Sequence, residues 1–302
     1  MVDRLIRATA ADSGIRAVGV ITTSLTEEAR QKHQLSYVAT AALGRAMSSG
    51  LLLASNMKKE GSRVNLRIRS SGPLGGLLVD AGLDGTVRGY VQNPQVELPP
   101  NAIGKLDVGK AIGPEGFLYV VKDVGYGYPY SSTVELVSGE IGDDVANYLV
   151  TSEQTPSALL VGVFVGAEGV TAAGGILLQV LPKAARDESL INLLESRVSQ
   201  LSGFTPLLRK GKSLTAIMED LLGDLELSIF PESQIVRFNC PCSFNRVLGA
   251  LKMLGEAELQ DMIEKDEGAE ATCQFCGEVY QASKAELVQL IEDLKTNSMN
   301  SL

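Results

Sequence analysis

Four residues carry most of the chemistry this sequence can offer. Cys240 and Cys242 stand in FNCPCSF, Cys273 and Cys276 stand in TCQFCGE, and these are the only cysteines in 302 residues. Thirty residues separate the inner two, so the pattern is C-x-C-x30-C-x-x-C. Brought together by a fold, two such pairs supply the four soft sulfur ligands that tetrahedral Zn²⁺ prefers. Gly277, directly after the second pair, permits the tight turn of a metal-binding knuckle. With every position filled by protein there is no place for a reacting water, so such a site is structural or regulatory rather than hydrolytic. The same thiols admit a second chemistry, because thiolates are the form that oxidants attack. Residues i and i+2 of an extended chain lie at most ~7 Å apart, close to the disulfide limit, so Cys240 and Cys242 can close with some strain. Metal, disulfide, or the two in turn are all open on spacing alone.

The stakes differ between these chemistries. A structural zinc contributes on the order of 10–16 kcal/mol of apparent binding energy, as much as the stability of a whole domain. Oxidising its ligands would therefore unfold a small domain built around it. The cysteines fall in residues 235–302, a piece short enough to need such a staple. Between the pairs runs a helical stretch with Val247, Leu248, Leu251 and Leu254, then Leu259, Met262 and Ile263. Ser283 and Glu286 form a capping-box pattern before Leu287, Leu290, Ile291 and Leu294. The acidic run DEGAE at 266–270 reads as a solvated loop.

Two amphipathic helices are expected just before this piece, in residues 183–234. RDESLINLLESRVSQLSG places Leu190, Ile191, Leu194, Val198 and Leu201 at helical spacing. A second helix runs from Ser213 to Gly223, with Leu214, Ile217, Met218 and Leu221 on one face. Ordinary packing on a core accounts for both stripes. The alternative is a movable connector whose apolar faces are uncovered when the cysteine domain melts.

Residues 1–182 read as an α+β domain. GIRAVGVITT at 13–22 is strand-like, and residues 26–59 have the composition of helix, with Thr26 as N-cap and Glu27 and Glu28 near the positive helix end. The β-like runs RVNLRIR, GLLVDA, GTVRGYV, GFLYVVKDV and STVELV follow between glycines. A helix over DDVANYLVTSEQ and two further apolar runs, ALLVGVFV and GILLQVL, complete the domain. Helices interspersed irregularly among serial strands argue for α+β rather than strict βαβ alternation.

Composition narrows the partners. The net charge of −9 opposes general binding to nucleic acid or anionic membrane, and residues 236–302 carry eleven acidic against six basic side chains. A nucleic-acid-binding zinc ribbon therefore fits poorly, and a zinc-ribbon thiol-disulfide oxidoreductase lacks the accompanying βαβ pattern. No apolar run is long enough to span a membrane and the first residues lack a signal-peptide core, so a cytoplasmic protein is expected. GKS at 211–213 lacks the upstream glycine of a phosphate loop, and the single histidine, His33, supports no catalytic triad.

With these residues in view, the chain resembles the heat-shock protein 33 family of redox-regulated chaperones. The paired cysteines carry the resemblance, together with ATAALGRA at 39–46, SGPLGG at 71–76, GTVRGYVQNP at 85–94, SGEIGDDVANYLVTSEQTPSA at 138–158 and AAGGILLQVLP at 172–182. The resemblance spans essentially the whole chain. It implies a non-enzymatic, ATP-independent holdase with an α+β core, a helical linker and a small zinc domain bound through Cys240, Cys242, Cys273 and Cys276. It further implies that oxidation pairs Cys240 with Cys242 and Cys273 with Cys276. The oxidised form would then dimerise and bind unfolding client proteins. Two positions qualify the match: Asn245 stands where the family often has a glutamate, and Pro241 stiffens the C-x-C loop.

Overall fold

In this computed structural model, residues 2–201 and 203–299 are described. The chain divides into two compact units, Met1–Asn239 and Cys240–Leu302.

The first unit opens with an antiparallel pair, β1 (Arg4–Ala10) and β2 (Ile15–Ile21), then α1 (Thr23–His33) and α2 (Tyr37–Ala54). Three strands follow, β3 (Arg63–Ser70), β4 (Gly76–Gly82) and β5 (Thr86–Val91), then the short α3 (Val108–Ile112). The chain continues through β6 (Gly116–Asp123), β7 (Tyr130–Glu135), α4 (Gly142–Thr151), β8 (Ser157–Gly166) and β9 (Gly169–Val180). Three helices come next, α5 (Glu188–Gln200), α6 (Phe204–Arg209) and α7 (Leu214–Leu222). Three two-residue strands, β10 (Ser228–Ile229), β11 (Gln234–Ile235) and β12 (Arg237–Phe238), lead out of the unit.

These strands build two sheets. One has the order β10-β1-β2-β9-β8, with β11 also on β1; the other is β12-β5-β4-β3-β6-β7. All pairings are antiparallel except β12 on β5. The α+β reading holds, and α2 explains why the two sheets share one core. It packs against β2, β8 and β9 of the first sheet and against β3, β4 and β5 of the second. A helix covered on both sides must be apolar or small nearly all round, and YVATAALGRAMSSGLLLA is, with Arg45 the one charged exception. Its small residues set the spacing: a Cβ added at Gly44 would meet Val163 Cγ2 and Thr26 Cγ2 at 2.6 Å.

Residues 26–59 form two helices rather than one. Gln34 takes a left-handed conformation (φ 51°), Leu35 N–H donates to the Arg30 carbonyl, and the Ser36 hydroxyl then caps α2 by accepting from Ala39 N–H at 3.2 Å. Thr26 is not an N-cap. Helix α1 begins earlier, Thr26 is buried inside it, and the free N–H groups of Ser24 and Leu25 donate to the two oxygens of Asp3 at 3.1 and 2.7 Å. Glu27 and Glu28 therefore lie beyond the first turn.

Another buried carboxyl organises the entry to α4. Asp144 accepts from the N–H groups of Val137, Ser138, Gly139 and Ile141 at 2.8–3.3 Å, holding Ile141 at φ 66°. Asp144→Ala strips four donors of their acceptor, two of those bonds being buried. Its expected cost is about 3 kcal/mol, read as a lower urea midpoint for the first unit at unchanged slope.

The second unit comprises α8 (Phe244–Lys252), α9 (Glu256–Lys265), the hairpin β13 (Gly268–Thr272) and β14 (Val279–Ser283), and α10 (Lys284–Met299). Gly255, at φ 88°, separates α8 from α9. Part of DEGAE is strand rather than loop, since β13 begins at Gly268 and pairs Glu270 with Gln281. The capping box of α10 forms as expected: Ser283 N–H donates to Glu286 Oε2 at 2.7 Å and Glu286 N–H to Ser283 Oγ at 3.4 Å. Leu251, Leu259, Ile263, Ala282, Leu287, Leu290 and Ile291 make a small core.

Candidate metal centre

The hairpin β13–β14 is closed by the second cysteine pair. Cys273 follows β13, its N–H donates to the Glu278 carbonyl at 2.9 Å, and its own carbonyl accepts from Gly277 N–H at 2.8 Å. Gly277 makes this knuckle at φ 74°, where a side chain would be strained. The first pair lies on the segment entering α8, whose start is capped by the Ser243 hydroxyl. Cys240 and Cys242 are thereby presented to the knuckle by chain that α8 anchors.

All four sulfurs lie within 4.8 Å of one another. Cys240 Sγ is 3.7 Å from Cys273 Sγ, and Cys242 Sγ is 3.3 Å from Cys276 Sγ. None is bonded to another. A tetrahedron of sulfurs about 2.3 Å from a central Zn²⁺ has edges of ~3.8 Å, so the donor set and its dimensions fit that ion. Tyr280, on β14, donates its hydroxyl to Cys242 Sγ at 3.1 Å, and this bond holds its phenol above the usual range. Burial pushes the Cys273 and Cys276 thiols up. Sulfurs so close together ionise readily only opposite a cation, which inverts that preference. Tyr280 was not singled out by sequence; its only signal is its place on the strand that leaves the C-x-x-C turn.

The other predicted set lies in the first unit. Leu190, Leu194, Leu214, Ile217, Met218 and Leu221 are buried, and Ile191, Val198 and Leu201 pack partly buried against the same cluster. The structure brings all nine onto the face of the first sheet formed by residues such as Ile15, Ala17, Ile176 and Leu178. The missed helix α6 adds Phe204 and Leu208 to this layer. It was illegible because six residues with Pro206 inside give no periodicity; Pro206 is tolerated only because it sits in the first turn. The helices seat closely because the sheet lacks side chains beneath them. A Cβ at Gly19 would meet Leu214 Cδ1 at 2.7 Å and Met218 Cε at 2.9 Å, and one at Gly174 would meet Phe204 Cε1 at 2.9 Å.

One ion pair clamps α5 to the end of α7. Arg197 donates to the Leu221 carbonyl at 2.6 Å and, through both terminal nitrogens, to Asp224 at 2.7 and 2.5 Å. The Arg197 hydrogen bonds hold the Asp224 carboxyl below its ordinary value of 3.8. A carboxyl depressed in the folded state stabilises fully above its unfolded value and loses that contribution as pH falls through the folded one. The clamp is therefore intact at neutral pH and is released in acid only as pH falls through the depressed value, which lies below 3.8. Asp224→Asn is expected to raise amide hydrogen exchange in α5 and α7 at pH 7, with the difference from the parent shrinking as pH falls below the ordinary carboxylate range.

No helix among the described residues is long and apolar enough to cross a membrane. Comparison with known proteins matches this architecture. The sequence model described as Hsp33 protein matches residues 3–283. The 33 kDa chaperonin of Gloeothece citriformis is 80% identical over 298 residues, covering 99% of this chain and 100% of the relative. That of Synechocystis sp. is 74% identical over 302 residues, covering both chains fully. The crystal structure of the 33 kDa chaperonin from Thermotoga maritima superimposes with a TM-score of 0.89 at 35% identity, covering 97% of this chain and 99% of that one. Cysteine tetrad, two-sheet core and packed helices together place this chain in the Hsp33 family of chaperones.

Proposed function

We propose that the chain is a cytoplasmic, ATP-independent holdase that is quiet when reduced and switched on by oxidation. The observation that carries this reading is the tetrad, whose four sulfurs are near enough both to share one ion and to oxidise. In the reduced state Cys240, Cys242, Cys273 and Cys276 would hold Zn²⁺, which supplies the charge that keeps them thiolates and ties α8 to the β13–β14 hairpin. A peroxide or hypochlorous oxidant takes two electrons from each pair, forming one S–S bond per pair as the oxidant's oxygen leaves as water. The pairing proposed is Cys240 with Cys242 and Cys273 with Cys276, as the resemblance to the family implies. The cross-pair approaches of 3.7 and 3.3 Å belong to a compact tetrad and choose no partners. Each disulfide removes two ligands, and the second unit, with its small core, loses its fold.

The apolar layer of α5, α6 and α7 is the surface held back in the reduced state. Melting of the second unit and its connection loosens these helices, exposing their buried faces to unfolding clients; dimerisation accompanies this state. Zinc content, free-thiol count, disulfide mapping and light scattering of a heat-unfolded client, measured on one sample during peroxide treatment, test the scheme. Zinc loss and two disulfides should precede suppression of aggregation. Equal suppression by reduced and oxidised protein would remove the redox switch.

A further inference from the structure

The first unit, which contains none of the cysteines, has a cavity of its own. A cavity of about 400 Å³, within the range of small-molecule sites, opens between α2, β8, α6 and the loop around Lys105. Its wall is mixed: Leu106, Phe164 and Phe204 are among the apolar contributors, and Arg45, Lys105 and Arg209 supply three cations. No acidic side chain lines it among the described residues, although the chain as a whole carries nine more negative than positive charges.

Two of the three cations are not committed elsewhere. Arg209 lies over the Phe164 ring, 3.6 Å from its centroid, which orients the guanidinium without neutralising it. Neither Arg209 nor Lys105 pairs with a carboxylate among the described residues. Arg45 is held by Glu140 through one terminal nitrogen, while its buried Nε has no hydrogen-bond partner. Two unpaired cations at a cavity with no lining carboxylate favour an anionic ligand there.

We infer that this cavity binds a small amphipathic anion, one anionic head beside Arg45, Lys105 and Arg209 and one apolar body against Phe164 and Phe204. The inference stands independently of the redox reading. Because α6 forms one wall and β8 another, a bound anion also ties α6 to the sheet.

Calorimetric titration of the full-length reduced protein with sodium octanoate, octanamide and inorganic phosphate tests the site, with thermal midpoints checking that variants fold. One octanoate per chain is expected, with octanamide and phosphate each at least about tenfold weaker, since both charge and apolar contact are required. Lys105→Gln and Arg209→Gln, both at exposed positions, should each weaken octanoate about threefold to tenfold. The assignment is overturned if octanamide or phosphate binds as tightly as octanoate, if octanoate shows no saturation, or if the double variant binds unchanged.

Discussion

Cys276→Ser is expected to leave the Cys240–Leu302 unit without zinc and unfolded, while the Met1–Asn239 unit keeps its structure. The physical case rests on size. A chain of about sixty residues buries too little of its surface for comfortable stability, and the core here is seven side chains around Leu259 and Leu287. Against that margin, a structural zinc contributes on the order of 10–16 kcal/mol. A serine hydroxyl is a poor substitute for thiolate, and the three remaining sulfurs cannot close the tetrahedron. Amide exchange should become fast through α8, α9 and α10 but stay protected in α2 and β9. Atomic absorption should find less than a tenth of the parent's zinc. Retained zinc with a protected α10 would sink the metal assignment. Tyr280→Phe serves as the mild comparison: it removes the bond to Cys242 but no ligand, so zinc should stay while chelator competes more effectively.

Met218→Glu is expected to make the reduced protein suppress aggregation without any oxidant. Met218 is fully buried against the first sheet, with Ile217 and Leu221 beside it. Burying a carboxyl there and losing the methionine contacts costs about 3–5 kcal/mol, enough to favour a detached α7 over a seated one. Gly19→Val reaches the same end from the opposite side of the contact. Its added methyl groups enter space already held by Leu214 and Met218, while the chemistry of α7 itself is untouched. Both variants should keep their zinc and four free thiols. Their gain in client protection, read by light scattering, should match that of the oxidised parent within about twofold. If both fold, keep zinc and protect no client, the α5–α7 layer is not the restrained surface.

How much of this could be read from the chain depended on whether the information was local. The tetrad was legible because its two pairs are each contiguous and cysteine is scarce. The apolar stripe of α5 and α7 was legible as periodicity, and Ser213 and Gly223 do bracket α7. What covers that stripe was not legible, since the covering surface is assembled from β2 and β9, some 160 residues apart in sequence. The break at Gln34 was hidden because a left-handed glutamine leaves no compositional mark; only Ser36, a good cap, hinted at a second start. Asp3 as the cap of α1 was beyond reach for the same reason, its partners being twenty residues on. The strand β1 was missed because RLIRATA, with its two arginines, looks too polar for a strand that pairs on both edges.

The face on which α6 and α7 rest sets small residues, Ala8, Ala10, Ala17, Gly19, Ala172 and Gly174, among larger ones such as Ile15, Ile21, Ile176 and Leu178. The small residues leave stretches of shallow apolar plane between the larger side chains. Such a plane rewards contact area and is indifferent to the order of residues pressed against it. Once uncovered, it would grip exposed apolar segments of many shapes with similar weak affinity and let them go as readily when α6 and α7 return. Breadth of clientele, on this view, is a property of missing side chains.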